Sequence, residues 1–186
     1  MDEFTDIQLI KKHLKRDSQA FELLISRYLK PIYSFIYRLV KNADEAEDIT
    51  QEVFIKVWKN LKKFDQKKSF KIWLFTIAKN TVIDFFRKKK NILFSDLAPE
   101  NDPQGSEILA IDSQPLPDII LDQEILEKKL AEIVEILPLK SREVLFLYYK
   151  EDLTFQEISD IFGESINTIK SRHYRAILAL RDSISK

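Results

Sequence analysis

Acidic and amide side chains gather in residues 44–58, whose sequence is DEAEDITQEVFIKVW. At helical spacing, four of them fall along one side of a helix: Asp44, Asp48, Gln51 and Glu52. Carboxylates in this arrangement could hold a metal ion for hydrolysis, but a di-metal helical bundle also needs Glu-x-x-His pairs on facing helices. The two histidines, His13 and His173, lie in no such pair. The sequence therefore predicts no metal ion, no cofactor and no catalytic residue here.

The same acidic face has two other interpretations. It is either a solvated helix surface or a docking surface for a basic partner. If it is a docking surface, we expect the apolar residues Phe54, Val57 and Trp58 to turn into the core.

Aromatic residues surround a lysine-rich loop at residues 62–68. Phe64 lies within the loop, and Phe70 and Trp73 follow it. Single-stranded DNA is bound by rings that stack on bases, for about 1–3 kcal/mol each, and by Lys or Arg near the backbone. The pattern is typical of such a surface, although each aromatic taken singly is more simply a core residue. No phosphate loop, nucleophile triad or zinc motif is present in the sequence.

Residues 154–180 predict two short helices around one glycine. Thr154 and Glu157 have the spacing of a capping box, and Gly163 suits a tight turn between helices. The second helix is expected to bury one face: Ile166, Ile169, Ala176, Ile177 and Leu180. Its other face is polar: Asn167, Lys170, Ser171, Tyr174 and Arg175. This pattern indicates a DNA-binding helix-turn-helix, with a helical hairpin carrying a solvated basic face as the plainer alternative.

The elements that must position these residues are all helical. The 186-residue chain shows no strand-like alternation. Helices are predicted over residues 5–16, from Asp17 or Ser18 to about Val40 with a kink at Pro31, from Asn42 to about Leu61, and from Ser69 onward. Further helices are predicted from Ile119 and after Pro138. We therefore expect an all-α protein with two small domains, 1–92 and 119–186, joined by a flexible acidic linker, 93–118.

The formal net charge of zero conceals a charge asymmetry. Residues 1–95 contain 20 Lys or Arg against 12 Asp or Glu, whereas residues 91–127 contain acidic residues and no basic ones. Local patches rather than the total set the field that a DNA backbone meets. The chain has no cysteine, which fits a reducing cytosol, and no apolar run approaches the ~20 residues that span a bilayer.

Several motifs in order resemble the small, two-domain extracytoplasmic-function (ECF) group of bacterial RNA polymerase sigma factors. Residues 48–58 (DITQEVFIKVW) resemble the family's core-binding helix, and LKKF at 61–64, SFKIWL at 69–74 and IAKN at 77–80 resemble its promoter −10 region. Leu-Pro at 137–138, TIKSR at 168–172 and Arg-Ala at 175–176 resemble its −35-binding domain.

The resemblance implies roles for particular residues. The set implied to bind core polymerase, at the β′ clamp helices, is Asp48, Gln51, Glu52 and Ile55. The set implied to capture an extruded −10 base is Lys62, Phe64, Ser69, Phe70 and Asn80, with Trp73 supporting the pocket from behind. The set implied to face the −35 major groove is Asn167, Lys170, Ser171, Tyr174 and Arg175, with Arg175 as the guanine contact.

The resemblance also implies three partners: promoter DNA, an anti-sigma factor, and core RNA polymerase with its β flap.

Two positions depart from the family pattern, because Asn167 stands where Gly is frequent and Ile177 where Arg is common. Arg172 and His173 are expected nearer the buried side, in phosphate contact or packing.

The resulting interpretation is a cytoplasmic, non-enzymatic sigma factor. The main alternative is a stand-alone helix-turn-helix regulator, which would leave the acidic face and the aromatic loop unexplained. An enzyme, such as a nuclease using the carboxylates, is a third class.

Overall fold

The computed structural model describes residues 4–96 and 137–184, with the backbone alone at 91–96 and 184. Within those ranges every regular element is helical, which confirms the predicted all-α class. The chain divides into two compact units. The helix predicted from Ile119 lies outside the described residues, as does the predicted linker from residue 97 onward.

Within residues 4–96, the first unit has four α-helices and one short 3-10 helix. They are α1 (Asp6–Leu14), α2 (Ser18–Val40), α3 (Ala43–Asn60), the 3-10 helix (Leu61–Lys63) and α4 (Phe70–Asp96). Asp17 and Asn42 cap α2 and α3 as predicted, each accepting a hydrogen bond from a backbone N–H three residues on. α2 is one helix through Pro31, and α4 runs to Asp96, beyond the predicted domain end at residue 92.

The core of the first unit joins its helices through large apolar side chains. Phe35 of α2 and Phe75 of α4 are fully buried and meet edge to face, with ring centroids 5.4 Å apart. An ion pair at 2.7 Å between Glu45 and Lys89 also ties α3 to α4. Buried apolar side chains of α2, α3 and α4 hold the three helices together, and the partly exposed ion pair adds little to this.

Within residues 137–184, the second unit has three helices: α5 (Leu139–Tyr149), α6 (Phe155–Phe162) and α7 (Ile166–Ile184). Thr154 and Glu157 form the predicted capping box on α6. Gly163 ends α6 in the left-handed region at φ 66°, which glycine adopts without steric cost. Ser165 Oγ then accepts from the Thr168 N–H at 3.1 Å and starts α7. The predicted helix-turn-helix is therefore present.

The buried face of α7 differs from its prediction at one position. Ile169 and Ala176 are buried, and Leu180 packs against the core cluster of Leu137, Leu145 and Ala176. Ile177, expected on that face, is 36% exposed. It follows Ala176 by about 100° around the helix, so it turns away once Ala176 occupies the centre of the contact.

Candidate functional site

The acidic side of α3 forms a continuous exposed surface. Asp48 and Gln51 are exposed, Glu52 is half-buried and Ile55 is 52% exposed. The structure thus brings together the four residues predicted to bind a protein partner. Asp48 has no ion-pair partner among the described residues, whereas Glu52 pairs with Lys56 at 2.8 Å.

Trp58 also belongs to this surface, which corrects the sequence prediction. Phe54 and Val57 are buried as expected, but Trp58 is 57% exposed. It lies one turn beyond Ile55, so the two present apolar area beside the carboxylates. We call Asp48, Gln51, Glu52, Ile55 and Trp58 the α3 docking face; a mixed acidic and apolar surface of this kind suits a partner with basic and apolar groups.

The aromatic residues around the lysine-rich loop form one cluster. Ring centroids are 4.9 Å apart for Phe64 and Trp73, and 5.7 Å for Phe64 and Phe70. Phe64 and Phe70 are buried, and Trp73 is half-buried. The burial of the two phenylalanines corrects the expectation that they offer rings to an incoming base. They support the surface from beneath, and Trp73 takes the more accessible position.

Trp73 opens onto a groove of about 430 Å³ between α3 and α4. The residues that line this α3–α4 groove are Lys56, Asn60, Lys63, Trp73, Ile77, Asn80 and Thr81. Of the residues predicted for the −10 site, Trp73 and Asn80 are present. Lys62 is exposed outside the lining, and the Ser69 hydroxyl accepts from the Ile72 N–H at 3.4 Å at the start of α4.

Sequence reasoning missed the α3 contribution to this groove. Lys56 and Asn60 lie one turn apart on α3, and the Asn60 amide donates to the Lys56 carbonyl at 2.8 Å. The Lys56 ammonium reaches α4 and donates to the Thr81 hydroxyl at 3.1 Å. The i, i+4 spacing could have suggested that Lys56 and Asn60 share one face of α3. It could not have shown that α4 lies opposite that face. The groove can accept a planar ring against Trp73 and offers ammonium and amide donors to its edge.

The outward face of α7 carries all five residues predicted to read the major groove: Asn167, Lys170, Ser171, Tyr174 and Arg175 are exposed. Tyr174 is 64% exposed. Arg175 makes a hydrogen bond of 3.3 Å to the Ser171 carbonyl, within its own helix. Its guanidinium is therefore available to a ligand at the surface.

Arg172, three residues earlier, has a structural role. Its side chain is 12% exposed and donates to Glu164 at 2.7 Å, with Lys140 3.5 Å from the same carboxylate. Burial alone would raise the pKa of Glu164, but the hydrogen bond and charge of Arg172, with those of Lys140, outweigh it and hold that pKa below its usual value. Arg172 thus ties α7 to the turn, as the expected packing role requires.

His173 lies among aromatic rings behind the recognition face. Its ring centroid is 5.0 Å from that of Tyr148 and 5.1 Å from that of Phe155, and Nε2 is 3.2 Å from the Tyr149 hydroxyl. Burial lowers the pKa of His173, because the low-polarity surroundings disfavour the charged ring. The neutral imidazole is the form that this cluster stabilises.

Residues 4–96 and 137–184 contain no group of three or more His, Asp or Glu side chains arranged to hold a metal ion. None of the helices described is both long and apolar enough to cross a membrane.

Comparison with known proteins gives consistent matches over both units. Residues 24–92 match Sigma-70 region 2, and residues 134–182 match Sigma-70 region 4. The chain is 35% identical over 185 residues to the ECF RNA polymerase sigma factor SigW of Bacillus subtilis, covering 95% of this chain and 97% of that protein. It is 28% identical over 187 residues to the ECF RNA polymerase sigma-E factor of Escherichia coli K12, covering 98% and 96%.

A solved structure with similar architecture is that of the sigma factor RpoE in complex with the anti-sigma factor NepR from Bartonella quintana. It aligns with a TM-score of 0.67 and 26% identity, covering 89% of this chain and 96% of RpoE. The region 2 match includes α3, and the region 4 match includes the helix-turn-helix. The chain belongs to the ECF group of the sigma-70 family of RNA polymerase sigma factors.

Proposed function

We propose that this chain is a dissociable specificity subunit that binds core RNA polymerase and directs transcription initiation by recognising −10 and −35 promoter elements. Both regions of the family occur in one chain, and this observation carries the proposal. The protein contributes recognition and strand separation, and the polymerase contributes the chemistry, so we do not regard it as an enzyme. Because core polymerase works on chromosomal DNA, the site of action is the cytoplasm.

The α3 docking face is the surface that we assign to the β′ clamp helices of core polymerase. Its support is the combination of Asp48, which has no described ion-pair partner, with the exposed Ile55 and Trp58. Apolar anchors supply most of the affinity at such interfaces, and charges steer encounter and fix register. The first domain, residues 1–92, would combine this contact with the −10 contact.

The α3–α4 groove is the site that we assign to an extruded −10 base. Extrusion costs a few kcal/mol, which stacking and hydrogen bonds to the base edge offset. Trp73 supplies the stacking surface, with Asn80 and Asn60 as edge contacts. Phe64 and Phe70, being buried, hold Trp73 in place.

The second domain, residues 119–186, binds the −35 element through α7 and lies against the β flap of the polymerase. Arg175 is exposed on the polar face and makes the guanine contact. A regulator is also expected, since the related RpoE forms a complex with an anti-sigma factor. An anti-sigma factor would act by covering the α3 docking face or α7.

A charge reversal at Asp48 tests the polymerase contact. Asp48→Lys should weaken binding to core polymerase at least tenfold, about 1.4 kcal/mol, because it places a cation against a basic partner. Glu22→Lys is the matched control, since Glu22 is an exposed carboxylate on α2, outside the docking face. Binding is measured by fluorescence anisotropy of the labelled full chain. Equal affinities of Asp48→Lys and the wild type would reject the assigned surface.

A further inference from the structure

One ion pair belongs to both functional surfaces of the first unit. The Glu52 carboxylate, on the α3 docking face, lies 2.8 Å from the Lys56 ammonium. Lys56 lines the α3–α4 groove and donates to the Thr81 hydroxyl at 3.1 Å. Thr81 in turn donates to the Ile77 carbonyl at 2.8 Å, so its hydroxyl is oriented to accept from Lys56. Glu52 and Thr81 together fix the position of the ammonium.

A second lysine of the groove differs from Lys56 in its ion pairing. Lys63 is exposed, lines the same groove and has no ion-pair partner among the residues that the structure describes. Lys63 is therefore available to a DNA backbone in the free protein, whereas the charge of Lys56 is neutralised by Glu52. Lys63 therefore contributes positive potential to the groove at all times. Lys56 contributes its charge only when the pair with Glu52 is broken.

The Glu52–Lys56 pair is partly exposed and is therefore weak. Exposed ion pairs contribute little net free energy, because water and salt screen them and both side chains lose freedom. A basic group of a partner that approaches Glu52 competes for the carboxylate and repels the ammonium at the same time. Docking on α3 would then release Lys56 towards the groove.

We propose that Lys56 is a promoter-strand contact of the α3–α4 groove, and that Glu52 withholds it until core polymerase engages the α3 docking face. This inference rests on the proposed sigma-factor function. It makes Glu52 a positioning residue for DNA as well as a docking residue. It also gives the free protein a weaker hold on single-stranded DNA than the same groove has in the polymerase complex.

The free, full-length protein tests the release step without polymerase. The probe is a fluorescein-labelled, random-sequence 10-nucleotide single strand at low salt, followed by anisotropy. Glu52→Gln should raise affinity about two- to fivefold, because it frees Lys56 to neutralise a phosphate. Lys56→Met should change affinity less than twofold, and the double variant should match Lys56→Met. An increase from Glu52→Gln that persists with Lys56→Met would overturn the proposal.

Glu45→Gln is the matched control for loss of one negative charge on α3. It breaks an ion pair of the same kind, Glu45–Lys89 at 2.7 Å, whose members do not line the groove. An increase in affinity equal to that of Glu52→Gln would assign the effect to overall charge and reject the groove-specific contact. Circular dichroism of each variant confirms that the helices are retained.

The polymerase complex tests whether docking on α3 releases Lys56 to DNA. The probe is a fork-junction DNA whose single strand carries the −10 sequence selected by run-off transcription. Lys56→Met should weaken binding by the complex at least fivefold, against less than twofold for the free protein. Equal effects in both states would refute the withholding step. Failure of the wild type to bind core would refute the proposed function instead. The single and double variants of Glu52 and Lys56, measured in the free protein, would still show whether Glu52 keeps Lys56 from single-stranded DNA.

Discussion

Replacing Arg172 and Arg175 separately should produce two different defects, although both are cations on α7 and lie three residues apart. Arg172 is directed into the second unit, 2.7 Å from Glu164, and its side chain is 12% exposed. Arg175 is exposed and bonds only within its own helix among the contacts described. The first arginine should therefore support the fold, and the second should read DNA.

The size of the Arg172 effect follows from the contact that it makes. A hydrogen bond to a charged group contributes about 1.5–3 kcal/mol. Lys140 stays 3.5 Å from Glu164 after Arg172→Ala and compensates part of the loss, so we take the lower end of this range. A loss of about 1.5 kcal/mol corresponds to roughly tenfold weaker protection of amide hydrogens.

The Arg175 effect should appear in DNA binding alone. Surface substitutions change the free energy of unfolding by less than about 0.5 kcal/mol. A bidentate guanine contact discriminates by about 1–3 kcal/mol, so Arg175→Ala should lower affinity for the −35 element about 5- to 150-fold. Affinity for a scrambled duplex should stay unchanged.

Both variants are measured in the full-length protein. Hydrogen exchange with mass spectrometry reports protection in α6 and α7, and anisotropy reports binding to −35 and scrambled duplexes. Unchanged protection together with lost −35 binding in Arg172→Ala would refute the structural role. An equal loss on both duplexes in Arg175→Ala would make Arg175 a phosphate contact.

Three further predictions concern single residues. Because burial lowers the pKa of His173, the unfolded state binds its proton more readily, and the second unit should lose stability as pH falls below about 6.5; hydrogen exchange at pH 7.5 and 5.5 should show a smaller loss in His173→Gln. Gly163→Ala should cost about 1–2 kcal/mol in urea unfolding, since φ is 66° but no atom lies within 4 Å of an added Cβ, and a larger cost would reveal a clash. Trp58→Ala should leave unfolding within about 0.5 kcal/mol of wild type yet weaken polymerase binding at least tenfold, and unchanged affinity would remove Trp58 from the docking face.

Local features of the fold were predictable because they depend on neighbouring residues. The caps at Asn42 and Thr154 and the left-handed turn at Gly163 follow from side-chain chemistry within three or four positions. The exposed polar face of α7 could be predicted from the helical period, because its residues lie on the other side of the helix from the buried Ile169 and Ala176.

Features that join distant segments were not predictable from the pattern. Lys56 and Thr81 are 25 positions apart, and only the packing of α3 on α4 brings them together. Trp58 is apolar, and composition alone assigns such a residue to the core, but its angular position on α3 places it beside Ile55. Similarly, periodicity could not decide which of Phe64, Phe70 and Trp73 lies nearest the surface.

The most direct test of the central claim is run-off transcription by purified bacterial core polymerase over a library of promoter sequences, with and without this protein. A sigma factor should produce new transcripts that start at a fixed distance from a shared two-part sequence, and the protein should co-elute with core. DNA binding with no new transcript and no co-elution would contradict the account and favour a stand-alone helix-turn-helix regulator.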